Sequence, residues 1–566
     1  MKSDLQRHKT EFATLTDALD CAAQGTASIN FHSLRGKLTQ SVSYQQLRDE
    51  ALDTAGRLIA RGLLPGDRVV IVADTDPNFQ RLLMGCLYAR LVPCPAPLPN
   101  AFGSKEVYLD QIRRMADIAR PRAAITPGLF RDWLIEAMCE RDMVFVGAFD
   151  DLDNDPGLIR RADAVDIEDL AYLQFSSGTT HAPKGIAVSH RALMANIMTI
   201  AHSALELSDE DCGVNWLPFY HDMGLVGSVM TPIASQLTTH YITTRDFIRR
   251  PRLWLELISR LRGTISYSPS FGYELTARRV RDVGDLDLSS WRIAGIGGDM
   301  IKIANLNRFA EAFAPSGFKA TSFLPSYGMA EFTVGITFTA AQKGAQTETV
   351  DAEKLEKTGK AVAPKGKNRA ITFVSCGKPL PGHKIEIRSN SGAVLQDGQV
   401  GTIFAAGPSL MNGYFHDTEQ SESVLSDDGW LDTGDLGFMR KGVLTIVGRT
   451  KDLIIIKGRN IWPQDIEWSV ESLIDNARAG GVSAFALNGV ASGTDDERIG
   501  LVVECRPRES EAREALRTAA RKTVREIYGV EPDVALAAPG TLPRTSSGKL
   551  SRAMTRNMFL AGEFEA

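Results

Sequence analysis

A run of small and hydroxyl-bearing residues followed by a lysine is the strongest chemical signal in the sequence. Residues 170–190 read LAYLQFSSGTTHAPKGIAVSH, and the members that suit phosphate binding are Ser176, Ser177, Gly178, Thr179, Thr180 and Lys184. Small residues let backbone N–H groups approach a polyphosphate, hydroxyls add donors and a lysine adds positive charge. The pattern differs from a Walker A loop, because the lysine precedes its glycine and a strand is predicted where a helix would start. It predicts a polyphosphate-binding loop, and the alternative is an ordinary Ser/Thr-rich hairpin.

A second candidate lies near the C-terminal end, where residues 542–552 read LPRTSSGKLSR. Lys549 stands there in a Ser/Gly loop between Arg544 and Arg552. For an isolated basic loop, a solvated tail is the simpler interpretation. A lysine on a mobile loop can instead be brought to a phosphate once the substrates are bound and withdrawn afterwards.

The bulk composition argues against several classes of protein. The chain has 566 residues, 43% of them hydrophobic and 23% charged, with a net charge of -5 and a mean hydropathy of -0.12. Its basic residues are scattered, so we expect no nucleic-acid partner, and no stretch approaches the ~18 apolar residues that span a bilayer. The seven cysteines form no CxxC pair and the nine histidines no HExxH motif, which argues against disulfides and a zinc site. Because the N-terminus also has no secretory pattern, we predict a cytoplasmic protein without integral membrane association.

The elements that must position these loops alternate along the chain. Helical periodicity, as in SYQQLRDEALDTAGRLIARG (43–62), is followed by short buried strands such as residues 69–72. This alternation predicts an α/β fold with sheets covered by helices. From about 375 to 449, short strands separated by turn residues predict a β-rich subdomain. Residues 450–566 are α+β again and long enough for a separate unit, so we predict an N-terminal domain at 1–449 and a C-terminal domain at 450–566.

Residues 341–370 stand apart from this pattern. The segment contains no aromatic residue, and its only larger apolar residues are Val350, Leu355 and Val362. Such a stretch is expected to bury little surface. It is predicted to be a surface insertion with at most one short helix near 351–357.

Five further motifs follow the first loop in a fixed order. They are NWLPFYHDMGLVG (215–227), PSYGMAE (325–331), WLDTGDLG (430–437), GRTKDLIIIKGRN (448–460) and PRTSSGKLSR (543–552). Together with residues 170–190, they resemble the motifs of the adenylate-forming superfamily, which comprises the acyl-CoA synthetases, the adenylation domains of peptide synthetases and luciferase. Each motif alone is weak, and the resemblance rests on six of them in order along most of the chain.

The resemblance implies ATP and Mg²⁺ as cofactors, a small mobile C-terminal lid domain and a role for each matching residue. The catalytic residues would be Lys549, His221 and Glu331. Those that bind the nucleotide would be Ser176, Ser177, Gly178, Thr179, Thr180, Lys184, Gly298, Asp299, Tyr327, Gly328, Met329, Ala330, Asp435 and Arg449. Tyr327 would lie against the base, and the ribose would be held by Asp435 and Arg449. The metal would be bound by Thr179 and Glu331, and the domain hinge would lie at Lys451.

The acid would lie beside the second motif, at Tyr220, His221, Gly224, Gly227 and Met230. The segment MGLVGSVMTPIASQL (223–237) is apolar for most of its length, and its two glycines would leave room for an acyl chain. The alternative is that these are simply core residues. No aspartate heads this region to hold an ammonium group, which favours an apolar acid over an amino acid.

Three features resemble the fatty-acyl-AMP ligase branch of the superfamily. They are the long gap from Glu331 to CGKPLPG (376–382), the residue sequences LPFYHDMGLVG and KDLIIIKGRNIWPQDIE, and His181 in place of a glycine. This branch implies a reaction that stops at the acyl-adenylate or passes the acyl group to the phosphopantetheine thiol of an acyl carrier protein. The insertion would restrain the C-terminal domain from a pose that accepts coenzyme A. The alternatives are an acyl-CoA ligase for a fatty, aromatic or terpenoid acid, and a catalytically silent binding protein.

Overall fold

The computed structural model describes residues 11–99, 104–153, 165–176, 183–456, 459–472, 480–487, 498–506, 509–544 and 549–565. The strands are β1 Ser28–His32, β2 Leu38–Ser43, β3 Arg68–Val72, β4 Val92–Ala96, β5 Ala123–Thr126, β6 Phe145–Ala148, β7 Leu170–Ser176, β8 Lys184–Ser189, β9 Cys212–Asn215, β10 Thr238–Tyr241, β11 Ile265–Ser268, β12 Ile293–Ile296, β13 Phe323–Tyr327, β14 Thr337–Phe338, β15 Thr347–Asp351, β16 Ala370–Val374, β17 Lys378–Pro379, β18 Lys384–Arg388, β19 Gly401–Ala406, β20 Gly413–Tyr414, β21 Leu431–Arg440, β22 Val443–Arg449, β23 Ile454–Ile456, β24 Arg459–Ile461, β25 Val482–Ala486, β26 Ile499–Glu504 and β27 Asp533–Ala537.

The α-helices are α1 Leu15–Ala22, α2 Tyr44–Ala60, α3 Pro77–Tyr88, α4 Lys105–Ala119, α5 Arg131–Met138, α6 Phe149–Asp153, α7 His190–Thr199, α8 Thr231–Ala234, α9 Thr244–Arg249, α10 Arg252–Leu261, α11 Ser270–Arg279, α12 Ile303–Phe313, α13 Ala352–Thr358, α14 Thr418–Glu422, α15 Pro463–Glu471, α16 Ser510–Tyr528 and α17 Arg552–Leu560. Two segments, Ile200–Ala204 and Met223–Met230, are π-helical. In the described part of the chain, no helix is long and apolar enough to cross a membrane.

Local sequence explains where several of these helices begin. Ser189 precedes α7 and caps it, because its hydroxyl accepts the N–H of Ala192 at 3.2 Å. Ser43 and Ser104 cap α2 and α4 in the same way. A side-chain oxygen at this position satisfies a backbone donor that has no partner within the helix.

Two sheets rich in parallel strands form the first part of the protein. One has nine strands in the order β17-β14-β13-β12-β11-β9-β10-β1-β2, and the other has four in the order β4-β3-β5-β6. Neighbours from β1 to β13 in the larger sheet are parallel, and its outer pairs are antiparallel. The four-stranded sheet is wholly parallel. The predicted α/β fold is therefore confirmed.

The β-rich subdomain expected near 375–449 is an antiparallel sheet in the order β18-β19-β21-β22. In its β21–β22 hairpin, Asp435 pairs with Arg449 across the two strands. The hairpin thus places a carboxylate beside a guanidinium.

The last part of the chain folds as the expected α+β unit. Its three-stranded sheet has the order β25-β26-β27, and β23 pairs with β24. Two apolar clusters consist only of residues between 454 and 564. These residues therefore have apolar cores of their own.

The segment 341–370 is more integrated than its composition predicts. The expected short helix is present as α13, Ala352–Thr358. However, β15 pairs with β16, and Val350 and Leu355 are fully buried in one cluster with Phe438, Val447 and Trp462. The expectation of little buried surface is wrong, because Val350 and Leu355 share an apolar cluster with side chains of the β21–β22 hairpin and of the start of the last unit.

Candidate active site

Strands β7 and β8 flank the predicted phosphate-binding loop. Ser176 ends β7 and pairs with Lys184, which begins β8. The predicted residues Ser177, Gly178, Thr179 and Thr180 lie outside the described residues, as does His181. The ammonium of Lys184 lies 4.2 Å from the centroid of the Tyr414 ring.

Glu331 lies in the short turn that follows β13, next to this lysine. The hydroxyl of Tyr414 donates to Oε1 of Glu331 at 3.0 Å. Burial raises the pKa of the Glu331 carboxyl, and the charge of Lys184 offsets only part of that effect. A second positive charge beside Glu331 would therefore be stabilising.

The loop after β13 depends on one glycine. A side-chain carbon at Gly328 would lie 1.8 Å from the carbonyl oxygen of Val334, so no other residue fits there. The loop thereby turns back sharply and leaves Tyr327, Met329 and Ala330 half-buried at its start.

Tyr327 and the β21–β22 hairpin meet at one carboxylate. The Tyr327 hydroxyl donates to Oδ2 of Asp435 at 2.8 Å, and Nε of Arg449 donates to Oδ1 at 3.0 Å. The charge of Asp435 is the main reason that the pKa of Arg449 is raised. Both oxygens of a largely buried carboxylate are thus fixed by residues predicted for the same nucleoside.

The second motif brings a histidine and an aspartate together. Nδ1 of His221 lies 2.6 Å from Oδ1 of Asp222, which also accepts the N–H of Met223 at 2.7 Å. Burial favours a raised pKa for Asp222, but the charges of His221 and Lys549 and these hydrogen bonds hold it below the usual range. The sequence analysis missed Asp222, although an aspartate directly before an apolar helical run is an N-cap signal.

The predicted acyl-binding residues occupy different environments. A side-chain carbon at Gly224 would lie 2.0 Å from the carbonyl oxygen of Pro218, so this glycine permits a close backbone contact rather than leaving room for a chain. Gly227 is exposed with open space beside it. Met230 is fully buried in the large apolar cluster. Tyr220 is half-buried, and its carbonyl accepts the amide of Gln174 at 2.8 Å.

Lys549 lies among residues of the larger sheet and the hairpin. Its Nζ is 4.0 Å from the position of a side-chain carbon built on Gly298, which has a φ of +84°. Burial lowers the pKa of Lys549, whereas Asp222, Asp299 and Asp435 act to raise it. Burial also raises the pKa of Asp299 to about 6. The structure therefore brings the late lysine to the residues predicted for the nucleotide.

Arg552 fixes the segment that carries Lys549. Its guanidinium donates to both carboxylate oxygens of Glu467 at 2.7 and 2.8 Å, and to Asp452 at 2.7 Å. Asp452 closes the short turn Thr450–Asp452, which follows β22 directly and in which Lys451 is exposed. The loop containing Lys549 is thus tied to helix α15 and to the turn after the hairpin.

The comparison with known proteins decides the family. The model of the AMP-binding enzyme family matches residues 21–415. The chain belongs to the AMP-binding enzyme family. Enzymes of this family use ATP, and the predicted membership of the adenylate-forming superfamily is confirmed.

Several relatives match over almost their whole length. A Caulobacter vibrioides protein provisionally named an acyl-CoA synthetase is 45% identical, over 99% of this chain and 98% of its own. The medium-chain-fatty-acid–[acyl-carrier-protein] ligase JamA of Moorena producens is 31% identical, over 98% of this chain and 97% of its own. A structure from a study of fatty acyl-adenylate ligases from E. coli and L. pneumophila is 40% identical with a TM-score of 0.93, over 98% of this chain and 99% of that chain.

Proposed function

We propose that this family member joins a medium- or long-chain fatty acid to AMP, releases pyrophosphate, and passes the acyl group to the phosphopantetheine thiol of an acyl carrier protein. The observation that carries the proposal is the position of Lys549 beside Asp222, Asp299 and the Asp435–Arg449 pair. A positive charge at that place suits a reaction in which negative charge builds on an α-phosphate. The names of JamA and the fatty acyl-adenylate ligases support the same substrate class.

In the first step, a carboxylate oxygen of the acid attacks the α-phosphorus of ATP. A new P–O bond forms, the bond to the bridging oxygen breaks, and pyrophosphate leaves with that electron pair. Lys549 would offset the charge that builds on the non-bridging oxygens. His221, held through Nδ1 by Asp222, would present its other nitrogen to the carboxylate and align it for attack.

The nucleotide would lie between the loop after β13 and the β21–β22 hairpin. Tyr327 would contact the base while its hydroxyl stays on Asp435. Asp435 and Arg449 would bind the ribose, and the adenine-side loop would include Gly298 and Asp299. The triphosphate would lie on the loop that runs from Ser176 to Lys184, with the lysine as its fixed charge.

Glu331 would hold Mg²⁺ together with Thr179 and the phosphates. A single carboxylate plus substrate oxygens is a usual set of ligands for this ion. Glu331 suits the role because it is buried and its charge is only partly offset by Lys184. When bound, the ion neutralises phosphate charge.

In the second step, the acceptor thiolate attacks the acyl carbonyl carbon and AMP leaves with the shared oxygen. The C-terminal unit, 450–566, would turn about Lys451 between the two steps. A contact of the insertion would restrain this movement. Glu356 is buried and ion-paired with Arg369 and, at 2.5 Å, with Arg459 of the C-terminal unit. Such a contact would oppose the pose that accepts free coenzyme A. The site of action would be the cytoplasm, where carrier proteins and ATP are available.

An acyl-CoA ligase is the second candidate function. It is favoured by the provisional name of the Caulobacter vibrioides relative, which is 45% identical. The two candidates share the first step and differ only in the acceptor.

Mass spectrometry of the products separates them. Purified enzyme is incubated with ATP, Mg²⁺ and fatty acids of increasing length, with coenzyme A, with a phosphopantetheinylated carrier protein, or with neither. We expect acyl-AMP without an acceptor, acyl-carrier thioester with the carrier, and little acyl-CoA. Full conversion to acyl-CoA would establish the second candidate, and absence of acyl-AMP with every acid would refute both.

A further inference from the structure

A contact between the start of α12 and the end of α15 lies outside the site described above. Lys302, the residue directly before α12, places Nζ 3.8 Å from Oε2 of Glu471, the last residue of α15. The same ammonium lies 5.4 Å from the centroid of the Trp468 ring. One lysine thus makes both an ion pair and a cation–π contact with one end of this helix.

The partner of this lysine is itself fixed. Oε1 of Glu471 accepts the N–H of Gly480 at 2.9 Å, so the carboxylate has a defined direction. Its side chain is 15% exposed and that of Lys302 is 28% exposed, which makes the pair less screened than a surface pair.

Helix α15 connects this contact to the catalytic lysine. Glu467, one turn before Glu471, holds Arg552 through two hydrogen bonds. Arg552 lies three residues after Lys549 in the sequence. A displacement of α15 therefore moves the loop that carries Lys549.

The other end of α15 has a separate anchor. The side-chain amide of Gln464 donates to the carbonyl oxygen of Val447 at 2.6 Å, close to the turn at Lys451. Ile466 and Val470 of α15 are buried in an apolar cluster of the C-terminal unit, so the helix moves together with that unit. Since α15 has nine residues and is about 13 Å long, the contact with Lys302 holds the unit at a second point, about one helix length from Gln464.

We propose that Lys302 is a positioning residue for adenylation, which holds α15 through Glu471 and Trp468 and thereby sets Lys549 against the nucleotide. The inference rests on the proposed function, in which Lys549 acts in the formation of acyl-AMP. It assigns Lys302 to the first step only, because the second step follows movement of the C-terminal unit.

The test compares Lys302→Met, which keeps length and removes charge, with Lys302→Arg, which keeps both the charge and the ring contact. The matched control is Lys522→Met, because Lys522 also has a partner at 3.8 Å, Glu526, but within one helix. Pyrophosphate release measures the first step. Transfer from chemically synthesised acyl-AMP to the carrier thiol measures the second.

We expect Lys302→Met to lower kcat for pyrophosphate release about fivefold to tenfold with an unchanged KM for ATP. Transfer should stay at the wild-type rate or rise, and Lys302→Arg should restore most of the first step. Equal losses in both steps, an equal loss in Lys302→Arg, or a wild-type rate in Lys302→Met would each overturn the inference. Absence of acyl-AMP from the wild-type enzyme would instead refute the proposed function.

The pH profile gives an independent readout. Burial raises the pKa of Glu471 to about 7, with Lys302 lowering it and Glu467 and Glu274 raising it further. Glu471 is therefore ionised above about pH 7 and loses its charge below it. The ratio of the wild-type rate of pyrophosphate release to the Lys302→Met rate should be largest above pH 8 and decrease as the pH falls to 6. A ratio independent of pH would contradict the ion pair as its cause.

Discussion

Replacing Lys549 by methionine tests the centre of the mechanism. The substitution keeps most of the side chain's length and removes a half-buried charge. Three carboxylates, Asp222, Asp299 and Asp435, would then remain near the guanidinium of Arg449. This residual negative field would face the α-phosphate, where further negative charge develops during adenylation.

The expected loss follows from the cost of one missing electrostatic contact in a desolvated site. Removing such a group costs about 3–4 kcal/mol in the transition state, which is about 10²- to 10³-fold in rate. The loss should fall on kcat for pyrophosphate release, because the contact strengthens only as charge builds. The KM for ATP should change little, since Tyr327, Asp435 and Arg449 stay in place.

The assay is pyrophosphate release under saturating ATP and acid, with thermal unfolding measured in parallel. Lys522→Met serves as the control for loss of one lysine. Transfer of the acyl group from synthetic acyl-AMP should proceed at the wild-type rate in both variants. A Lys549→Met enzyme that retains a third or more of the wild-type rate of pyrophosphate release would refute the role of this charge.

Three further predictions concern Asp435 and Asp299, which lie near this lysine, and Glu356 of the insertion. Asp435→Asn weakens charge-assisted bonds from Tyr327 and Arg449, worth about 1.5–3 kcal/mol, so the KM for ATP in pyrophosphate release should rise about 10- to 100-fold; an unchanged KM would contradict ribose binding. Glu356→Gln breaks the buried ion pair with Arg459 and should raise acyl-CoA formation about tenfold or more, measured by mass spectrometry. An unchanged ratio of acyl-CoA to acyl-AMP would mean that this contact does not restrain the C-terminal unit. Burial raises the pKa of Asp299 to about 6, so its ionisation destabilises the fold progressively between about pH 4 and 6 and fully above pH 6. Asp299→Asn should therefore raise the melting temperature at pH 7.5 but not at pH 4. Equal shifts of the melting temperature at both pH values would exclude this cause.

Glu356→Gln is a sharper test of the insertion than its deletion. Deleting residues 341–370 would remove β15, the partner of β16, and expose the cluster around Phe438 and Trp462. Its effect on the acceptor could then reflect a damaged fold. The single substitution leaves Val350 and Leu355 in place.

Much of the site could be read from the sequence because its residue types are dictated by short-range chemistry. A phosphate-binding loop requires small and hydroxyl residues next to a lysine, and the turn after β13 requires glycine at 328, where no side chain fits. The strands and helices near these motifs follow local periodicity and capping, as Ser189 does for α7. Such patterns are contiguous in the chain and are therefore visible without coordinates.

Other features depend on side chains that no local pattern connects. Three apolar residues in a polar segment gave no sign that Val350 and Leu355 would be fully buried, because their partners lie on another hairpin and beyond the turn at Lys451. Gly224 had a pattern that suited an open channel, whereas the fold uses it for contact with the Pro218 carbonyl.

By itself, the sequence determined the set of motifs and the α/β class, and it supplied the charged residues that we propose to serve the nucleotide. Only the tertiary structure decided that Asp222 faces both His221 and Lys549, and that Lys302 contacts Glu471 at the far end of α15. The reason is that charges interact through space, whereas sequence patterns report only neighbours along a strand or helix. Tertiary packing places the last unit against the larger sheet, and this packing brings Lys549 close to Asp222, Asp299 and Asp435.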